Sequence, residues 1–263
     1  MNIVLLNGWN MHSNMWQSLL PCLQLYGDVV EINVPYDQCE EHQESLTPPK
    51  EPQKIMGALC EHIVQQLPQP CVLVGWSLGG MLATHIAAHY PQAIIGVVTL
   101  ATNVQFVAND QWATAMPAKI FETFYQSYNE DPQKTEKQFA QLVVKGDACR
   151  REQHRYLQEN TLHEPVSKAQ GLMGLSLLRH INNQTALQNI RCPSLHVFGE
   201  HDALVPASAV AAIQQLQAKN KHVQYHVVAH AGHLLHMPVD RLSPFLGDFL
   251  QKCQQECQQG SQQ

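Results

Sequence analysis

Three residues have the types and the chain order for nucleophilic acyl transfer: Ser77, Asp202 and His233. Ser77 lies in Gly75-Trp76-Ser77-Leu78-Gly79-Gly80, a G-x-S-x-G stretch. The apolar run Cys71–Val74 before it reads as a buried strand, and Met81–His89 after it suits a helix. A serine on such a turn holds its Oγ clear of the backbone, and glycines on either side let the chain cross itself closely. A helix starting there aims its positive end at any developing oxyanion. His233 would take the serine proton and return it to the leaving group. Asp202 would orient the imidazole and stabilise its charged form. The chain holds 15 histidines, so a histidine alone signals little. His226, His230 and His236 compete with His233, but only His233 follows a glycine, Gly232, shortly after an apolar strand. Glu200 competes with Asp202, which sits in a G-x-x-D pattern ahead of Leu204-Val205-Pro206.

These side chains need elements to carry them. Ile3–Leu6 reads as a strand leading into Asn7-Gly8-Trp9-Asn10. Ser13 opens a helical pattern through Leu20, with Pro21 and Gly27 as breakers, and Asp28–Val34 is a second strand. The polar, Pro-rich stretch from Pro35 to Pro52 predicts an exposed loop. Ile55–Leu67 is an amphipathic helix, Ala93–Leu100 a buried strand, Ser194–Phe198 a strand, Ala207–Leu216 a helix, His222–Val228 a strand and Pro238–Leu250 a helix. Alternating strands and helices predict an α/β fold, a mostly parallel, doubly wound sheet. Ser77, Asp202 and His233 each follow a strand, so all three fall on one sheet edge, where ligands bind in such sheets. The alternation lapses between Asn103 and Asn189, which carry helical patterns only. The division expected is a core of 1–102 and 190–252, a helical cap of 103–189, and a frayed Gln-rich tail of 253–263.

Composition narrows the field. A chain of 263 residues with 44% hydrophobic and 14% charged content can bury a sizeable core. A net charge of −6 argues against general binding to nucleic acid or anionic membranes. Eight cysteines, among them Cys39, Cys149 and Cys192, form no C-x-x-C pair and read as reduced thiols of a cytoplasmic protein. Met1-Asn2 brings no basic region before a short apolar run, so neither a signal nor a membrane segment is expected there. No spacing of His, Cys or Asp suggests a metal site, and no phosphate-loop or dinucleotide fingerprint is present.

The elbow GWSLGG, the opening LLNGWNMHSNMW, the acid loop FGEHDALVP and the closing AHAGH together resemble the α/β-hydrolase superfamily, whose triad runs in the order nucleophile, acid, histidine. With Gly8-Trp9 and the cap segment KTEKQFAQLVVKG, the chain is similar more narrowly to biotin-pathway carboxylesterases. The resemblance covers nearly the whole chain. It implies a cofactor-free serine esterase that hydrolyses the methyl ester of a pimeloyl group carried on acyl carrier protein. Two departures stand out. Asn7 occupies the place of the usual histidine before Gly8, and the chain begins directly in a strand, which implies a slightly trimmed sheet.

The resemblance carries further roles residue by residue. The backbone N–H groups of Leu78 and Trp9 are the expected oxyanion donors. Trp9, Ser77, Leu78, Phe139, Ala140, Gln141, Leu142, Val143 and His233 correspond to substrate-contacting positions. Phe139 can share a helix face with either Leu142 or Val143. Lys134, Arg151 and Arg155 match positions that hold the carrier, although a neighbouring basic position is Gln138 here. Between Pro132 and Arg155 six cations stand against three anions, a net of +3 within an acidic chain. Such a patch suits an acidic carrier protein, and equally a solvated helix face. A monomer is expected. Two other readings stay open: a different hydrolase of esters, lactones, thioesters or C–C bonds on the same triad, and a non-catalytic small-molecule binding module.

Overall fold

The computed structural model describes residues 1–11, 13–34, 36, 52–160 and 166–260. Most of the stretch from Pro35 to Pro52 lies outside the described residues. Six strands form one wholly parallel sheet: β1 (Asn2–Leu6), β2 (Asp28–Ile32), β3 (Cys71–Trp76), β4 (Ile94–Leu100), β5 (Ser194–Gly199) and β6 (Val223–Val228). Their order across the sheet is β2-β1-β3-β4-β5-β6. Every residue of β3 and of β5 is buried. That is the pattern of strands covered by helices on both faces, and it explains why Cys71–Val74 reads as an unbroken apolar run.

The order reverses between β1 and β3, the switch point at whose carboxyl ends ligands bind in open sheets of this kind. Because all strands are parallel, the loops after β1, β3, β5 and β6 emerge at the same edge. These loops carry Trp9, Ser77, Asp202 and His233.

Helices α1 (Leu20–Leu23), α2 (Pro52–Gln66), α3 (Leu78–His89), α9 (Ala209–Leu216) and α10 (Ser243–Gly260) accompany the sheet. Between β4 and β5 stand α4 (Ala118–Glu130), α5 (Pro132–Val143), α6 (Arg150–Asn160), α7 (Lys168–His180) and α8 (Gln184–Asn189). Helix α5 is capped by Asp131, whose side chain accepts from the Lys134 amide, and α7 by a reciprocal Ser167–Gln170 capping box.

Three expectations change. Instead of one helix from Ser13 through Leu20, a 3-10 turn at Ser13–Trp16 is followed by the short α1. Pro21 does not break that helix; it lies in its first turn, where a missing N–H has no intrahelical partner to lose. The last helix does not stop at Leu250, because α10 continues to Gly260. Cys253 is buried, and its sulfur sits so near Gly96 of β4 that a Cβ there would lie 2.7 Å away. Glutamine is also a good helix former.

Candidate active site

Ser77 joins β3 to α3 with φ 55° and ψ −117°, a backbone conformation that side-chain-bearing residues rarely adopt. The strain is held from several directions. The Ser77 amide donates to the Leu100 carbonyl at 2.9 Å, and the Ser77 carbonyl accepts from the Met81 amide at 3.1 Å. Thr102 Oγ1 lies 3.3 Å from the same carbonyl and 2.9 Å from that of Leu100. The glycines are there for room. A Cβ on Gly75 would stand 2.4 Å from the Gly79 carbonyl oxygen, and one on Gly79 would stand 2.1 Å from that of Leu6. The elbow therefore rests on the end of β1, in register with the Leu6–Gly75 pair.

The other two residues meet between the loops that follow β5 and β6. His233 Nδ1 and Asp202 Oδ2 are 2.7 Å apart, and both side chains are fully buried. The second carboxylate oxygen, Oδ1, accepts the amides of Leu204 and Val205 at 2.8 and 2.9 Å. These bonds fix the carboxylate plane and explain the use of Leu204-Val205 after Asp202. Among the described residues His233 Nε2 is buried with no hydrogen-bond partner, Ser77 Oγ included. It is the ring nitrogen left for a proton to reach. The His233 carbonyl accepts from Trp76 Nε1 at 2.8 Å, so the tryptophan beside Ser77 ties the histidine loop to the elbow strand.

The competing residues are engaged elsewhere. His230 is exposed with its Nδ1 3.5 Å from Glu200, and Glu200 also accepts the His230 amide at 2.7 Å. That amide bond, first among several causes, draws the Glu200 carboxyl below its ordinary range. His226 stacks on Phe245. His236 is buried, with Nε2 3.0 Å from the Met15 carbonyl, and desolvation followed by repulsion from His233 pushes it down to about 4 despite that bond. Glu200, His201 and His230 offer ligand atoms within 4.8 Å of one another. Two loops far apart in sequence bring this exposed trio together, which is why spacing alone does not reveal it.

On the β1 side, Asn7 is buried. Its Oδ1 accepts from Trp16 Nε1 and its Nδ2 donates to Asn33 Oδ1 at 3.3 Å, linking the ends of β1 and β2. Gly8 packs flat on Trp76, where a Cβ would fall 2.6 Å from the indole ring. Gly8 thus brings the loop after β1 against the strand that ends at the elbow. Leu78 is the first residue of α3, so its amide has no intrahelical acceptor.

The Trp9 side chain turns toward the inserted helices. Its Nε1 donates to the Gly171 carbonyl at 2.8 Å, and its ring meets Phe124, Tyr128 and Phe139 edge-on. Trp9, Phe139, Leu142, Leu175, Leu178 and Leu204 line, with Phe106, Met116 and three further α4 residues, a narrow apolar cavity of about 50 Å³. Of the run 139–143, Phe139 and Leu142 reach this cavity. Ala140 and Val143 are buried in packing, and Gln141 faces solvent. The lining from α4 and α7 carries no motif; its only sequence signal is the amphipathic pattern.

Lys134, Arg151 and Arg155 are all exposed, as are Lys137, Lys145 and Arg150. Two of the three nearby anions do not oppose them at the surface. Asp147 is buried against Arg241, and Glu136 is half-buried, accepting from Asn10 at 2.9 Å. The exposed face is therefore more basic than the residue count suggests. Among the described residues no disulfide forms, and burial pushes Cys60, Cys71, Cys192 and Cys253 up to about 12. No helix among them is long and apolar enough to cross a membrane.

Comparison with known proteins sets this geometry in context. The chain is 35% identical over 234 residues to the biotin biosynthesis bifunctional protein BioHC of Cellvibrio japonicus, which covers 89% of this chain and 44% of that protein. It is 30% identical over 233 residues to the pimeloyl-[acyl-carrier protein] methyl ester esterase of Vibrio cholerae, covering 88% and 87%. The chain spans less than half the length of the bifunctional relatives it matches. Among solved structures, a bromoperoxidase from Bacillus anthracis superposes with a TM-score of 0.75 at 17% identity, covering 95% of this chain and 91% of that one. The enol-lactonase of Burkholderia xenovorans superposes at 0.72 and 16%, covering 95% and 91%. At such identities these two speak to the fold alone. A family model described as the alpha/beta hydrolase fold matches residues 2–238, and the chain belongs to that family.

Proposed function

We propose that the protein is a serine carboxylesterase that hydrolyses the methyl ester of pimeloyl-[acyl-carrier protein], releasing methanol, as a step of biotin biosynthesis. One observation carries the reading: the buried His233–Asp202 bond with a free Nε2, set at the same sheet edge as a serine on a strained elbow. The names of the relatives supply the substrate.

In this mechanism His233 Nε2 accepts the Ser77 proton as Oγ attacks the ester carbonyl. Asp202 holds the Nδ1 proton and stabilises the imidazolium. The Leu78 and Trp9 amides receive the oxyanion, a contribution that is typically about 3 kcal/mol per donor. Collapse expels methoxide, which takes the proton from His233 and leaves as methanol. Water, deprotonated by the same nitrogen, then releases the carboxylate. Trp9, Phe139 and Leu142 take the acyl methylenes. The exposed cations of α5 and α6, among them Lys134, Arg151 and Arg155, meet the acidic carrier. Residues 103–189 act as the cap that brings pocket and docking face together.

Purified protein incubated with methyl-pimeloyl carrier protein should convert it to the free acid by mass spectrometry, and Ser77→Ala should not. The gene should also restore growth to a biotin auxotroph lacking the esterase. Turnover of p-nitrophenyl acetate with the carrier ester left intact would assign the same triad to another ester.

A further inference from the structure

The loop that carries His233 is held from outside the sheet. Its backbone groups at five positions bond to the turn after α5 and to the start of α6. The His230 carbonyl accepts from the Ala148 amide at 3.0 Å, and the His233 amide donates to the Val143 carbonyl at 3.1 Å. The Gly232 amide donates to Asp147 Oδ2 at 2.8 Å. Gln153 Nε2 donates to the carbonyls of Leu234, at 2.9 Å, and Met237.

Asp147 is the centre of this arrangement. Its carboxylate is fully buried and accepts from the Cys149 amide, the Gly232 amide, Gln153 Nε2 and Arg241 Nη1. Arg241 balances the charge. Gly232 leaves no slack, because a Cβ there would lie 3.1 Å from the Lys145 carbonyl oxygen and 3.2 Å from Asp147 Cβ. On the other flank, Gly146 turns at φ 85° against the His201 carbonyl, one residue from Asp202.

We propose that Asp147, with Gln153, is a positioning residue pair for His233: a charged clamp that sets the imidazole against Ser77 and Asp202. The proposal rests on the esterase reading above for its kinetic readout. A triad histidine must keep both ring nitrogens aimed at once, and its aim is set by the backbone at positions 232 and 233. Both amides there are bonded to the Val143–Asp147 turn. The clamp also runs through α6, whose buried face carries Gln153 and whose exposed face carries Arg151 and Arg155.

The test is Asp147→Asn, which keeps the volume but removes the charge and one acceptor. On p-nitrophenyl acetate kcat should fall roughly 10- to 100-fold with KM nearly unchanged, the scale of a catalytic group misplaced by about 1 Å. The downfield proton resonance of His233 Nδ1–H should shift or broaden in the same variant. A folded Asp147→Asn protein with wild-type kcat and an unmoved resonance would overturn the proposal. If that variant does not fold, Gln153→Ala keeps the Asp147–Arg241 pair and should give a smaller kcat loss with a shifted resonance; no change in either overturns it equally. The resonance needs no turnover. A wild-type protein inactive on every ester would thus count against the esterase reading while the clamp is still decided.

Discussion

Two buried carboxylates stand on either side of the histidine loop, and they are built differently. Asp202 accepts two backbone amides and one titratable imidazole, with no fixed cation among its bonds. Asp147 accepts amides and a glutamine, but its charge is matched by Arg241, whose Nη1 lies 2.9 and 3.0 Å from the two oxygens. A carboxylate with no permanent partner stabilises a positive charge that forms during a reaction. One already paired with a guanidinium has little left to offer and serves to hold shape. On the proposed mechanism the same residue type in two settings would separate charge stabilisation from positioning.

Substitutions sharpen that difference. The largest effect should come from Ser77→Ala or His233→Ala, each lowering kcat by on the order of 10⁶, measured on a p-nitrophenyl ester. Asp202→Asn should cost about 10⁴, because the amide favours the wrong imidazole tautomer. That is far beyond the loss expected for Asp147→Asn. Equal losses at the two aspartates would erase the distinction. Phe139→Ala should act on selectivity, lowering kcat/KM about 10-fold on a long acyl ester and little on acetate, the scale of a few buried methylenes. The mildest effect should come from Arg151→Glu with Arg155→Glu. That pair should slow turnover of the carrier-bound ester in low salt and leave a small free ester untouched, because rim charges act on encounter.

Acid stability offers a further test at two buried imidazoles. Burial lowers both His236 and His196 to about 4. For a group whose folded pKa lies below its unfolded value of about 6.5, the unfolded chain takes up protons first. The stabilisation is therefore complete above that pH and declines as pH falls toward 4. Thermal melts across this interval should show a steep acid loss, and His236→Gln should flatten part of it.

Much of the fold was legible because it is written in local patterns. Cys71–Val74 is apolar on both faces because β3 is covered on both. The G-x-S-x-G spacing is dictated by close backbone approaches, of Gly75 to Gly79 and of Gly79 to the end of β1, so it is written in the sequence as a motif. Asp202 and His233 stood out by their places after strands, since parallel strands deliver successive loops to one edge. What the sequence left open depends on contacts between distant segments. A single preceding glycine is all that marks His233 out from His230 and His236 in sequence; in the structure His233 is buried on the Asp202 carboxylate, His236 is buried on a carbonyl, and His230 is exposed beside Glu200. In sequence Asp147 is one of three anions in a basic stretch; the tertiary structure places it beside Arg241, 94 positions away. Hydrophobic periodicity records which face of an element is buried. It does not record which buried polar group meets which, because that pairing is decided by packing between elements whose separation in the chain carries no periodic signal.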